Sequence, residues 1–171
     1  MTGRARFGAV LCLLALGAMG CAYSTSTALL PTHLKTIAIP VFENGTTEYS
    51  IEQEITQAVI DRFVQDNHLK VVSERDANAL LRGKVMQYHN AVFGFSATEQ
   101  AQEYRVTIGV SVTMKDLVKN REMWKDEDVV KTTNYFVVDV PGQKAKTELD
   151  GRKEAIHKIA DEIVARTVEG W

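Results

Sequence analysis

Only two cysteines, Cys12 and Cys21, occur in 171 residues, and both fall near the start of the chain. The rest can therefore carry neither a disulfide framework nor a cysteine metal site. Motifs for catalysis are missing as well. There is no G-x-S-x-G, no P-loop and no dinucleotide fingerprint. His33, His68, His89 and His157 stand far apart, with no H-x-x-x-H or H-x-E spacing, and read as surface or structural residues. The stretch "KDEDVVK" lacks the glycine and terminal Glu of a calcium loop and reads as a solvated charged segment. Trp124 and Trp171 read as packing residues. Nothing in this inventory builds an active site or calls for a cofactor. The apolar run at residues 7–19 is too short to span a bilayer, which takes roughly 20 such residues.

What that run does have is a layout. Arg4 and Arg6 precede it, and "GAMGCAYS" closes it with small residues. A basic start, a short apolar core and a small-residue end describe a signal peptide over residues 1–20. Cys21, directly after Gly20, resembles the cysteine of a bacterial lipoprotein box, with Ala18 where such boxes usually carry Leu. The resemblance implies a diacylglyceryl group on the Cys21 thiol and an acylated mature N-terminus. Ala22, rather than Asp, implies the outer membrane as the destination. The alternative is an ordinary secreted protein cleaved near Gly20 that keeps a free thiol.

Cleavage leaves 151 residues, enough for one domain. Loss of Arg4 and Arg6 takes Lys plus Arg from 20 to 18 against 22 Asp plus Glu, a formal charge of −4. A global attraction to nucleic acid is excluded by that balance, although a local basic patch for an anionic lipid is not. Residues 21–33, "CAYSTSTALLPTH", are small and polar and read as a tether.

The single domain is read over residues 34–171. "LKTIAIPVF" places Ile37, Ile39 and Val41 on one face of a strand, with Pro40 marking an edge or an irregular end. Ser50 and Gln53 have the spacing of a capping box, and Ile51, Ile55, Val59 and Phe63 then form a helical stripe widened by Ala58 and Ile60. The helix ends at Asp66 and Asn67. "LKVV" is a short strand and "SERDANA" a turn or helical turn. "LLRGKVMQYHNAVFGF" is a longer strand in which Gly83 marks a bulge or a close approach.

Strict alternation in "YRVTIGVSVTMK" sets Tyr104, Val106, Ile108, Val110, Val112 and Met114 on one side, opposite Arg105, Thr107, Gly109, Ser111, Thr113 and Lys115. After a turn at "LVKNR", the strand "EMWKDEDVVKTTNYFVV" slips in its alternation, which predicts a bulge or an irregular middle. Thr147 caps a last helix with Glu148 and Asp150 in its first turn; Leu149, Ile156, Ile159, Ala160, Ile163 and Thr167 form its inward stripe. The order β-α-β-β-β-β-α predicts an α+β fold: two helices on one face of a mainly antiparallel sheet of four to five strands.

Several stretches together carry a family likeness: "GCAYS", "LPTHLKTIAIPVFENGT", "IEQEITQAVIDRFVQD", "LKVVSERDANALLRGKV", "EYRVTIGVSVTMKD" with "MWKDE", and a final helix ending "EGW". The set resembles the LptE family of lipopolysaccharide-assembly lipoproteins. That resemblance implies a non-enzymatic outer-membrane protein that plugs the barrel LptD, helps to assemble it and delivers lipopolysaccharide to the outer leaflet. Barrel lumens are polar, so the Thr, Ser, Arg and Lys side of residues 104–115 is one candidate contact face and the loop tips another. Lipopolysaccharide phosphates call for Lys and Arg. Arg82, Lys84 and Arg105, on strands that could align them, are the candidate contacts, weighed against ordinary solubilising charges.

A lipoprotein activator of a periplasmic peptidoglycan synthase is the alternative, and it predicts a long linker. Residues 21–33 extend at most about 45 Å, which favours work close to the membrane. A periplasmic hydrolase is the third reading, and it lacks any nucleophile–base motif.

Overall fold

The structure, a computed structural model, describes residues 30–97 and 99–169. The signal segment, Cys21, most of the tether and Trp171 lie outside the described residues. Strands β1 (Thr36–Ala38) and β2 (Glu43–Asn44) precede helix α1 (Ile51–Asp66). Then follow β3 (Lys70–Val71), one 3₁₀ turn (Glu74–Asp76), β4 (Ala79–Phe95), β5 (Ala101–Asp116), β6 (Arg121–Phe136) and helix α2 (Glu148–Glu169). The class is α+β, as expected, with a mixed sheet of six strands. Its order is β3-β1-β4-β5-β6, parallel through β3-β1-β4 and antiparallel through β4-β5-β6, with β2 also parallel to β4.

Period-two patterning makes β5 the centre of the core. Val106, Ile108, Val110, Val112 and Met114 are all fully buried on its helix side. The stripe of α1 meets them: Ile51, Ile55, Val59 and Phe63 are inaccessible to solvent, with Ala58 and Ile60 at its margin. Ile156, Ile159, Ala160, Ile163 and Thr167 of α2 are buried likewise. The two helices run in the same direction, since Arg152 bonds Glu54 at one end and Arg62 bonds Asp161 at the other.

Three local expectations are corrected. Ser50 does not form a capping box: its φ of 61° is left-handed, and its hydroxyl caps nothing. Its carbonyl accepts the first helical N–H bonds, from Gln53 and Glu54, while Asn44 organises the approach by binding Thr46, Glu48 and Glu52. Val41 does not share a face with Ile37 and Ile39. Regular pairing stops at Ala38, before Pro40, and Val41 turns out to 63% exposure. Leu149 is half exposed because it lies on the outer side of the first turn of α2, whose inward stripe begins with Gly151 and Ala155.

Thr147 does cap α2: its N–H and hydroxyl donate to Asp150 Oδ2, and the Asp150 N–H returns to the Thr147 hydroxyl. Gly83 marks a close approach rather than a bulge. A β-carbon there would sit 2.2 Å from the buried Phe42 ring. The register shifts fall elsewhere, at Met86 and near Phe93 in β4 and at two places in β6, where alternation slips.

Candidate functional site

With both helices on one side, the other face of the long β4-β5-β6 meander has no layer over it among the described residues. Cross-strand register assigns its side chains. Arg82 opposes Thr113, Lys84 opposes Ser111, Gln87 opposes Gly109, His89 opposes Thr107 and Ala91 opposes Arg105. On the β6 side Lys125 opposes Thr113 and Thr132 opposes Thr107. The face is thus largely polar, carrying hydroxyls, amides and charges, with Leu80, Val130 and Phe93 as its apolar interruptions, on strands backed by the core beneath.

Arg82, Lys84 and Arg105 all project to this face, but they do not form one cluster. Arg82 and Lys84 are two residues apart on β4, about 7 Å along the strand. Arg105 lies six residues from Ser111, the partner of Lys84, and so roughly 20 Å farther along the sheet. Arg82 makes an exposed ion pair with Glu74 at 3.4 Å, beside a shallow cleft of about 170 Å³ formed with Pro40 and Val41. Arg105 is more constrained: its Nε donates to Asn134 Oδ1 at 2.8 Å and its guanidinium lies 3.5 Å over the Phe93 ring. Lys125 joins Arg82 through the Thr113 row and pairs with Glu127. Sequence reasoning missed Lys125, because the β6 bulges hide its parity.

Two polar clusters on the other side of the molecule also went unread. Arg152, whose side chain is 14% exposed, donates to Glu54 at 3.2 Å and to Tyr88 Oη at 3.2 Å, and it pairs with Glu48. Its guanidinium also lies 4.9 Å from the centre of the Tyr88 ring, and Tyr88 donates to Glu148 at 2.5 Å. Burial, helped by the Glu148 carboxylate, pushes the Tyr88 phenol up to about 12. This cluster joins the loop before α1, α1, α2 and β4, and no local motif could announce partners so distant in sequence.

Asp116, fully buried, is the second centre. Burial works to raise its carboxyl, but the N–H groups of Lys119 and Val118 together with His33 hold it below the usual carboxylate range. Among the described residues no group of three or more His, Cys, Asp or Glu is placed to hold a metal. No helix there is long and apolar enough to cross a membrane.

Comparison with known proteins gives the family. The model of the LptE family, described as lipopolysaccharide-assembly, matches residues 34–167. No match to this chain was found among curated protein sequences. Solved structures share the fold at low identity. A variant PelC dodecamer from Paraburkholderia phytofirmans superposes with a TM-score of 0.54 at 11% identity over 84% of this chain and 96% of that one. Protein XCC0632 from Xanthomonas campestris gives 0.55 at 10% identity over 82% and 90%, and protein CT253 from Chlamydia trachomatis gives 0.53 at 11% over 78% and 95%. The family match spans nearly all of the described fold, and the chain belongs to the LptE family.

Proposed function

From that membership we propose that the chain is a non-catalytic, lipid-anchored outer-membrane protein that plugs and helps to assemble an LptD-like barrel and delivers lipopolysaccharide to the outer leaflet. The observation that carries the reading is the uncovered polar face of the β4-β5-β6 meander, which is what a water-lined barrel lumen requires of a plug. A protein with a helix layer on one side only can bury its apolar stripe internally and present hydroxyls, amides and charges to the wall.

The anchor in this reading is Cys21, acylated after cleavage at Gly20. The tether to the fold is short, so the domain works within about 45 Å of the leaflet that holds it. Lipopolysaccharide phosphates meet the cationic half of the polar face, where Arg82 and Lys84 stand together and Lys125 is on the same row. Arg105 serves a separate contact farther along. Arginine bonds a phosphate through two parallel N–H groups and lysine as a point charge, so Arg82 orients the ligand and Lys84 adds attraction.

Purification of the native chain from detergent-solubilised envelopes tests the reading. A co-eluting LptD-like barrel supports it, whereas a peptidoglycan synthase in its place supports the activator alternative and overturns the plug.

A further inference from the structure

The sheet has two long edges, and they are built differently. The β6 edge is guarded. Its middle carries Lys125, Asp126, Glu127 and Asp128 and two bulges, Lys158 Nζ reaches the Thr132 carbonyl at 3.3 Å, and the Lys146 N–H donates to the Phe136 carbonyl. Charges, bulges and a covering lysine are the devices that keep foreign strands off an edge.

The β4 edge carries no charged side chain and no covering lysine in its distal half, and between its register shifts at Met86 and near Phe93 it runs regularly over residues 87–92. Strands β1 and β2 pair with it only as far as Val85, where the Gly45 N–H closes the last bond to the Val85 carbonyl. Beyond that, among the described residues, no strand lies against residues 87–95. Over the regularly paired residues 87–92, every second residue directs its N–H and C=O away from β5, before the shift near Phe93. The stretch "MQYHNAVFGF" has no Asp, Glu, Lys, Arg or Pro, and Val92, Phe93 and Phe95 are exposed. This half-edge also runs past the start of α2, which meets β4 at Tyr88.

We propose that residues 87–95 of β4 form a docking edge for an extended, low-charge polypeptide strand supplied by another protein. Unpaired main-chain donors and acceptors in a row are satisfied in full only by another extended backbone. The uncharged, partly apolar flanks select against a charged strand, whose side chains would lose water beside Val92 and Phe93. A closed barrel wall has no free strand to give, because each wall strand uses both edges on its neighbours. The occupant is therefore a loop, plug segment or terminal arm.

A second copy fits poorly, in an argument that rests on the lipid anchor proposed above. His33 fixes the tether at the Asp116 end of the meander. Antiparallel pairing of two β4 edges about Asn90 would put the two tether exits at opposite ends of the joined sheet, roughly 70 Å apart. Two short tethers rooted in one leaflet would tolerate that only with the sheet lying flat.

The test places a photo-crosslinking amino acid at Gln87, His89 or Ala91 of the full chain in its own cells, with Asp128 on the guarded edge as the control. Products are mapped by mass spectrometry. The expected result is that the three β4 positions label one segment of one partner, stepping by two residues, while Asp128 does not. His89→Lys combined with Val92→Lys should cut the yield by about tenfold, since both charges would have to be desolvated at a docked edge. Labels without a two-residue step, equal labelling from Asp128, no labelling, a register against another copy of β4, or a yield untouched by the lysines would each overturn the proposal. Because the readout is the labelled segment, it is independent of whether the barrel co-purifies.

Discussion

His33 and Asp116 meet at 2.8 Å, His33 Nε2 on Asp116 Oδ2, and so join the first folded residues after the tether to the turn between β5 and β6. Asp116 has no solvent exposure, and its other oxygen accepts the N–H groups of Val118 and Lys119. The end of the tether is thus fastened to the central hairpin as well as leading directly into the short β1.

Asp116→Ala leaves two turn N–H groups and His33 without their acceptor and is expected to destabilise the fold by about 3 kcal/mol. The pH dependence follows from the lowered carboxyl of Asp116. A depressed folded-state value contributes stability above the unfolded value, near pH 4, and that contribution is lost as pH falls through the lower folded value. Urea titrations at neutral and acid pH should show the gap between wild type and Asp116→Ala closing in acid. A constant gap would contradict the assignment.

Arg152 is the hub that four elements share, and Arg152→Lys should not replace it. One ammonium cannot span Glu48, Glu54 and Tyr88 in the guanidinium's planar arrangement. Thermal melts are expected to show both Arg152→Ala and Arg152→Lys destabilised by about 2 kcal/mol. Full rescue by lysine would reduce the hub to a simple charge.

Tyr88 should give up its proton well above the ordinary tyrosine range. With its phenol pushed up to about 12, the folded chain holds this proton where the unfolded chain, near 10, releases it. Stability from Tyr88 is thus complete below pH 10 and is lost as pH rises toward 12. The difference in phenolate absorbance between wild type and Tyr88→Phe should rise near that value; a midpoint at 10 would place Tyr88 in solvent.

Much of this fold was legible because single elements announced themselves. The alternation of β5 fixed its buried side, and the four-residue spacing in α1 fixed the stripe from Ile51 to Phe63. What failed was what depends on neighbours. Ser50 has the right type and spacing for a cap, but its backbone takes a left-handed φ of 61° and its hydroxyl makes no cap hydrogen bond. Arg82, Lys84 and Arg105 could be placed on strands, yet their separation waited on the pairing register, which bulges reset. Arg152 and Asp116 take their meaning from partners up to about a hundred residues away.

Lipopolysaccharide binding tests the cationic face. Replacing Arg82, Lys84 and Arg105 together by Glu is expected to weaken binding to purified lipopolysaccharide by at least about tenfold, since like charges then face the phosphates. The melting curve should stay cooperative, because all three lie on the face away from the core. Unchanged affinity in a folded variant would remove these residues from the account.

The central claim is most directly tested by isolating the chain from detergent-solubilised outer membranes and identifying what elutes with it, with the intact mass of its mature N-terminus read from the same sample. The account predicts an LptD-like barrel in the same peak and an acylated residue 21. A chain that elutes without a barrel and begins with an unmodified cysteine would contradict it.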